Sequence, residues 1–519
     1  MAVDVDACDE MRPVAGFAAR ARSSVDEGGR TKTAGDVVGR GMRRATYPLY
    51  IAANIAPRVA MFVLLMVFTR VLPVHEFGLF ALVITMGEIL DMTASNWVRV
   101  YILRAEAGAK TLSAPRLGRA LSLSWGSMLF SLVVAAIAVP MVSDERAGDL
   151  VLGTSVYIVA FSIVRLTLTF AQLTQRHVVY AVIEGARALG IVAATIIVPL
   201  AHINSFLPAC LVLSLLTGGI CSASLLYTLR DLPTPRIASS GYLAAFEFGL
   251  PFMLASLLSY TLGWFDRFIL NYFTGPASVA VYVAAYAIAR QPVELLVGPL
   301  NNYIFPILAR AHNDGRRGDA AAMQVGAFTS IMAVGAATVC GLTLLAQPLA
   351  TLFFPAGYHS SVATLIPLVA IGTLFLTLKQ FVFDNSFHIT RRTWLLLASG
   401  LPSAIVSIAL GIVLIRLYGD VGAAVTYVVA TFLALFISAV ASLRVLEFDI
   451  PWRRVAGILI ATAAASAVTW TLRPLVVPFG AFAEIAVGGI AFSAVYAAVL
   501  MLSGISIRHL VELPWVPGE

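Results

Sequence analysis

Apolar and polar positions alternate along this chain in long blocks. About fourteen apolar stretches, near 47–69, 77–98, 119–142, 150–174, 178–201, 206–228, 242–265, 277–300, 324–350, 361–386, 394–416, 420–443, 455–473 and 482–503, are separated by short polar links. A helix crosses a bilayer in about 20 residues, so each stretch is long enough to span one. The eighth is expected to continue as a helix through Asn301, Asn302 and Pro306. The pattern predicts an all-α integral membrane protein. The residues before Tyr47 are polar, with no apolar segment behind Met1, and read as a disordered cytoplasmic tail rather than a cleaved signal. A short polar tail follows residue 503.

Composition agrees. Of 519 residues 59% are hydrophobic and only 12% charged, against about 25% charged in soluble domains. The net charge of +7 does not point to nucleic acid, because the basic residues sit in the short links. Counted by alternate links, lysine and arginine split 17 to 5, with Arg70, Arg146, Arg267, Arg416 and Arg473 on the poor side and Arg99, Arg104, Lys110, Arg116 and others on the rich side. Basic links face the cytoplasm, so both termini are expected there. No link could fold into a soluble catalytic domain. The four cysteines and seven histidines show no metal-ligand spacing. No cofactor, metal or enzymatic activity is expected.

Five basic residues fall inside the stretches: Arg58, Arg165, Arg187, Arg290 and Lys379. A charge at that depth is costly in lipid, about 2.5–3.5 kcal/mol on insertion scales, so it faces protein or water unless it snorkels to a headgroup. Lys379 and Arg187 lie toward span ends, where snorkelling competes; Arg58 and Arg290 lie about half-way through. Residues three and four apart share a helix face. That spacing gives polar stripes at Tyr282, Tyr286, Arg290, Glu294 and Asn301, at Glu88, Asp91, Ser95 and Arg99, at Asn54 and Arg58, at Ser162, Arg165, Thr169 and Gln172, and at Thr373, Thr377, Gln380 and Asp384. The alternative for Arg290–Glu294 and Glu184–Arg187 is a structural intrahelical pair. Such stripes line an aqueous lumen with a positive centre, a setting suited to an anion because arginine binds phosphate through two bonds at once. Glu88 and Asp91 would bind a coupling cation or neutralise Arg58. Pro292, between Arg290 and Glu294, is a candidate hinge.

Arg70-Val71-Leu72 followed by Phe77-Gly78-Leu79-Phe80 is echoed by Arg267-Phe268-Ile269-Leu270 and Val279-Ala280-Val281-Tyr282, a weak internal repeat. These stretches belong to two longer motifs, Thr69-Arg70-Val71-Leu72-Pro73 followed by Glu76-Phe77-Gly78-Leu79-Phe80, and Asp266-Arg267-Phe268-Ile269-Leu270 followed by Gly275, Val281-Tyr282 and Ala284-Ala285-Tyr286. They also resemble the signatures of Wzx-type polysaccharide (O-antigen and exopolysaccharide) flippases, of the multidrug/oligosaccharidyl-lipid/polysaccharide exporter superfamily. Pro73 stands where glycine is usual, and Ala280 where a glycine often precedes the tyrosine. The resemblance spans 47–503. It implies two six-helix lobes in an inverted V, 47–228 and 242–446, with an extra helix pair at 455–503 shaping a groove for a lipid tail. It also implies alternating access in the bacterial inner membrane and an undecaprenyl-pyrophosphate-linked glycan as substrate. Membrane lipids, a polysaccharide polymerase and a chain-length regulator are the partners it implies. By position, Arg58 and Arg290 would hold the pyrophosphate, with Arg165, Arg187 and Lys379 as further cations and Asn54, Glu88, Asp91, Tyr286 and Glu294 as polar or ion-coupling residues. A lipid II flippase or a cation-coupled drug exporter would share the fold; a glycan polymerase or ligase would need a larger loop on the far side.

Overall fold

The computed structural model describes residues 46–105, 113–143, 145–174, 176–230, 234–236, 241–390, 392, 394–446 and 448–504. The amino-terminal and carboxy-terminal tails of the sequence reading lie outside them, as does Cys8. The chain is a succession of helices: α1 Thr46–Val71, α2 Val74–Ala94, α3 Asn96–Ala105, α4 Ala114–Val142, α5 Ala147–Leu173, α6 His177–Leu200 and α7 Phe206–Arg230. Then follow α8 Tyr242–Trp264, α9 Asp266–Thr274, α10 Pro276–Asn313, α11 Arg317–Leu344, α12 Ala346–Phe353, α13 His359–Leu378, α14 Asp384–Ile389, α15 Trp394–Leu446, α16 Trp452–Val476 and α17 Ala481–Leu502.

Among the described residues, twelve helical segments are long and apolar enough to cross a membrane. Two observations reconcile that number with the fourteen expected. The 26-residue α1 has the length and apolar content of a span. The 53-residue α15 is two spans joined without a loop, broken only at Gly419, where φ is 58° and ψ is −131°. As expected, α10 runs on past residue 300 to Asn313, through Pro292, Pro299 and Pro306.

Helices α1–α7 pack on one another as one lobe and α8–α15 as a second. The pair α16–α17 rests on α11 and α12, where Phe492 and Tyr496 bury themselves against Ala333 and Ala336 and the Tyr496 hydroxyl donates to the Ala333 carbonyl at 2.8 Å. Between lobes the principal seam is α2 against α10, with α8 closing along α2 and α3. In lipid there is little hydrophobic drive for helices to pair, so close approach of backbones decides such seams. Gly78 in α2 shows this: a Cβ there would lie 1.9 Å from the Pro276 carbonyl oxygen. The first turns of α2 and α10, the two copies of the repeat, meet there.

The rest of the repeat clasps that same end. Arg70 donates to the Leu352 carbonyl at 2.8 Å, and Glu76 accepts from Arg146 at 2.8 Å and from the Phe206 backbone at 2.8 Å. Arg267, read from sequence as a link residue, is 3% exposed; it lies against the rings of Trp264 and Tyr286 and donates to the Thr85 hydroxyl of the other lobe at 3.1 Å. At the opposite end Trp97 of α3 packs on Gly249 and Phe246 of α8, and Ser122 and Tyr242 share a hydrogen bond of 2.9 Å. The lobes touch at both ends.

Candidate functional site

Half-way along the first lobe, α2 and α5 carry a charged cluster. Asp91, with no exposed side-chain surface, accepts from Arg99 at 2.5 Å and also from Arg165 and Ser162. Glu88, one turn earlier, accepts from Arg165 and from the Tyr157 hydroxyl at 2.7 Å. Gly87 makes this geometry: a Cβ there would stand 2.3 Å from the Tyr157 ring, so only glycine lets the ring lie across α2 with its hydroxyl at Glu88. The two carboxylates differ in access, Glu88 being 17% exposed and Asp91 fully enclosed. A small cleft lined in part by Ser95, Arg99, Ser124, Ser127 and Ser162 opens beside the cluster.

The second lobe presents a smaller counterpart on α10. Arg290 pairs with Glu294, donates to the Tyr286 hydroxyl and lies over the Tyr286 ring. Tyr286 in turn donates to the Gly263 carbonyl of α8 at 3.0 Å and packs on Tyr427. Here too the carboxylate is the open member, 39% exposed against 20% for the arginine. Tyr260 lies on α8, the helix that packs along α2, with its ring edge-on to Trp264.

Arg187 forms a salt bridge to Glu184 at 3.2 Å in α6, the structural pair that sequence spacing left open. Arg58 is exposed on α1, and its charge, like that of Arg165, acts on Glu184. Asn54 lies in α1, one turn before Arg58. Lys379 stands apart. It opens a π-helical turn over Lys379–Phe383 and is buried against Asp384 at 2.6 Å, with Ser438 as a second partner of that carboxylate. It neither snorkels nor joins the others.

Sequence reasoning underused Arg99, which it placed on the α2 stripe but counted as a link charge; it is 8% exposed and belongs to the cluster. Tyr157, Tyr260 and Tyr427 carry no signature, because an isolated tyrosine in an apolar run reads as packing. Among the described residues no group of three histidine, cysteine or acidic side chains is placed to hold a metal.

Residues 67–363, more than half of the chain, match the polysaccharide biosynthesis protein family. The chain belongs to that family. This polysaccharide biosynthesis protein also shares its fold with solved transporters. The lipid II flippase MurJ in an inward closed conformation is 13% identical, with a TM-score of 0.71 over 89% of this chain and 100% of that one. A MATE multidrug transporter of the MOP superfamily, inward-facing, is 14% identical with a TM-score of 0.55 over 78% and 95%. A MOP superfamily transporter from Pyrococcus furiosus is 13% identical with a TM-score of 0.53 over 78% and 94%. No curated protein sequence matches. The polysaccharide biosynthesis protein is thus a multi-pass membrane protein with the fold of MOP exporters.

Proposed function

We propose that this protein is a flippase for an undecaprenyl-pyrophosphate-linked oligosaccharide, carrying it from the cytoplasmic to the periplasmic leaflet of the inner membrane by alternating access. One observation carries the reading: each lobe brings a guanidinium to the α2–α10 seam, Arg165 held by Glu88 of α2 and Arg290 standing on α10 itself. Arginine suits the task because its planar fork matches phosphate oxygens and its charge persists in a low dielectric. Around this region Arg99, Arg165 and Arg290 face Glu88, Asp91 and Glu294. The forks of Arg165 and Arg290 are the groups an anion would take.

In this reading the glycan and pyrophosphate occupy the inter-lobe space while the prenyl chain stays in lipid. The contacts at the Gly78–Pro276 end and at the Trp97–Gly249 end open in alternation. A polymerase and a chain-length regulator would receive the product. Replacing Arg58, Arg165 or Arg290 with alanine is expected to abolish polysaccharide export while protein remains in the membrane; full export by Arg58→Ala and Arg290→Ala together would overturn the proposal. A lipid II flippase has only the likeness of fold in its favour, and growth of cells lacking their lipid II flippase on this protein would establish it instead.

A further inference from the structure

The two charged units between the lobes are built alike. In each, an arginine is held by a carboxylate and a tyrosine hydroxyl completes the unit: Arg165 donates to Glu88, which also accepts from Tyr157, and Arg290 donates both to Glu294 and to the Tyr286 hydroxyl. In each, the carboxylate is more exposed than the arginine it holds, 17% against 13% in the first lobe and 39% against 20% in the second. Carboxylates placed only to anchor a cation in this protein look different. Asp91 has no exposed surface and takes three donors; Asp384 is 8% exposed and is held by Lys379 and Ser438. The open carboxylates sit where an incoming anion would arrive.

We infer that Glu88 and Glu294 are resident surrogate anions, each occupying the arginine face that one phosphate of the substrate takes over. The inference rests on the proposed flippase reading and adds the way the site stays neutral when empty. An unpaired guanidinium in a water-poor space is costly, so an internal carboxylate holds the fork ready and yields it to a better bidentate partner. Two exchangeable carboxylates then match the two phosphates of a pyrophosphate ester, one per lobe, which draws the lobes together only when both are displaced. The resident carboxylates also weaken binding, because substrate must compete with them, and that weakness permits release on the far side.

The test is binding of geranyl pyrophosphate to the purified full-length protein in nanodiscs, with geraniol as the phosphate-free control. Glu88→Gln and Glu294→Gln, each isosteric, are each expected to tighten binding about tenfold, since removing a like charge from an anion's seat raises its affinity. Both variants should slow export, because release becomes limiting. Glu184→Gln, which removes an equal charge from Arg187 elsewhere in the same lobe, is expected to change binding little. Unchanged or weaker binding by both Glu88→Gln and Glu294→Gln, with wild type binding normally, overturns the inference and leaves the flippase reading standing. Equal tightening by Glu184→Gln also overturns it, showing a long-range charge effect. No binding of geranyl pyrophosphate by any form, wild type included, overturns both.

Discussion

Replacing Asp91 with asparagine separates an anchoring charge from a working one. The Asp91 side chain has no exposed surface and accepts from Arg99 at 2.5 Å, from Arg165 and from Ser162. Asparagine keeps the shape and removes the charge, leaving two buried guanidiniums side by side with Glu88 as their nearest counter-ion. Breaking a buried ion pair from one side costs about 3–5 kcal/mol, because the surviving charge stays out of water unpaired. Scaled to a chain of this length, that is a fall in unfolding midpoint of roughly 3–5 °C. Thermal unfolding in detergent, followed by intrinsic fluorescence and by the monodisperse fraction on size exclusion, reads it directly. The double variant Asp91→Asn/Arg99→Met removes the stranded charge along with its partner and should recover at least half of the loss, leaving Arg165 paired with Glu88. An unchanged midpoint for Asp91→Asn, or a double variant no better than the single, would refute the assignment of Asp91 as the anchor of this cluster.

Three further outcomes follow from the geometry. Gly87→Ala puts a methyl 2.3 Å from the Tyr157 ring, so it should cost about 1–3 kcal/mol by overpacking and pull the tyrosine hydroxyl from Glu88; export assays beside the midpoint would show activity falling further than stability. Gly78→Val cannot fit against the Pro276 carbonyl, so the lobes should part at that end: export stops, and a cysteine placed at Thr85 becomes reactive to a membrane-impermeant maleimide. For Lys379 and Asp384, each single methionine substitution should lower stability, and the double substitution should restore most of it, because the pair is buried and self-contained. Lys379→Met/Asp384→Met with export lost despite wild-type stability would instead make Lys379 part of the transport path.

The architecture was legible because lipid imposes one rule: a spanning segment must satisfy its own backbone, so apolar length alone marks the helices. The loopless joint at Gly419 was counted correctly as two spans for the same reason, although no polar link of ordinary length separates them. Stripes at helical spacing found Glu88, Asp91, Arg165, Arg290 and Glu294. What spacing could not give was partnership across helices. Arg99 and Arg267 sit at span ends in sequence, where basic residues ordinarily meet headgroups; the structure turns them inward, Arg99 onto Asp91 and Arg267 onto the Thr85 hydroxyl of the other lobe. Lys379 reads like the other intramembrane cations until the π-helical turn brings Asp384 round to it, five residues on rather than four. The resemblance-bearing motifs around Arg70, Glu76 and Gly78 likewise proved to be fastenings at one end, away from the charged units.

The terminal pair α16–α17 is moored to α11 and α12 and so belongs to one half of a molecule whose halves, in the proposed mechanism, rock against each other. It acts as an outrigger. One half meets the bilayer over a broad beam and the other over a narrow one, so tilting falls mainly to the narrow half. A spin label on the exposed Leu459 of the outrigger and another on the exposed Leu129 of α4 would report that unequal swing as a change of distance between them.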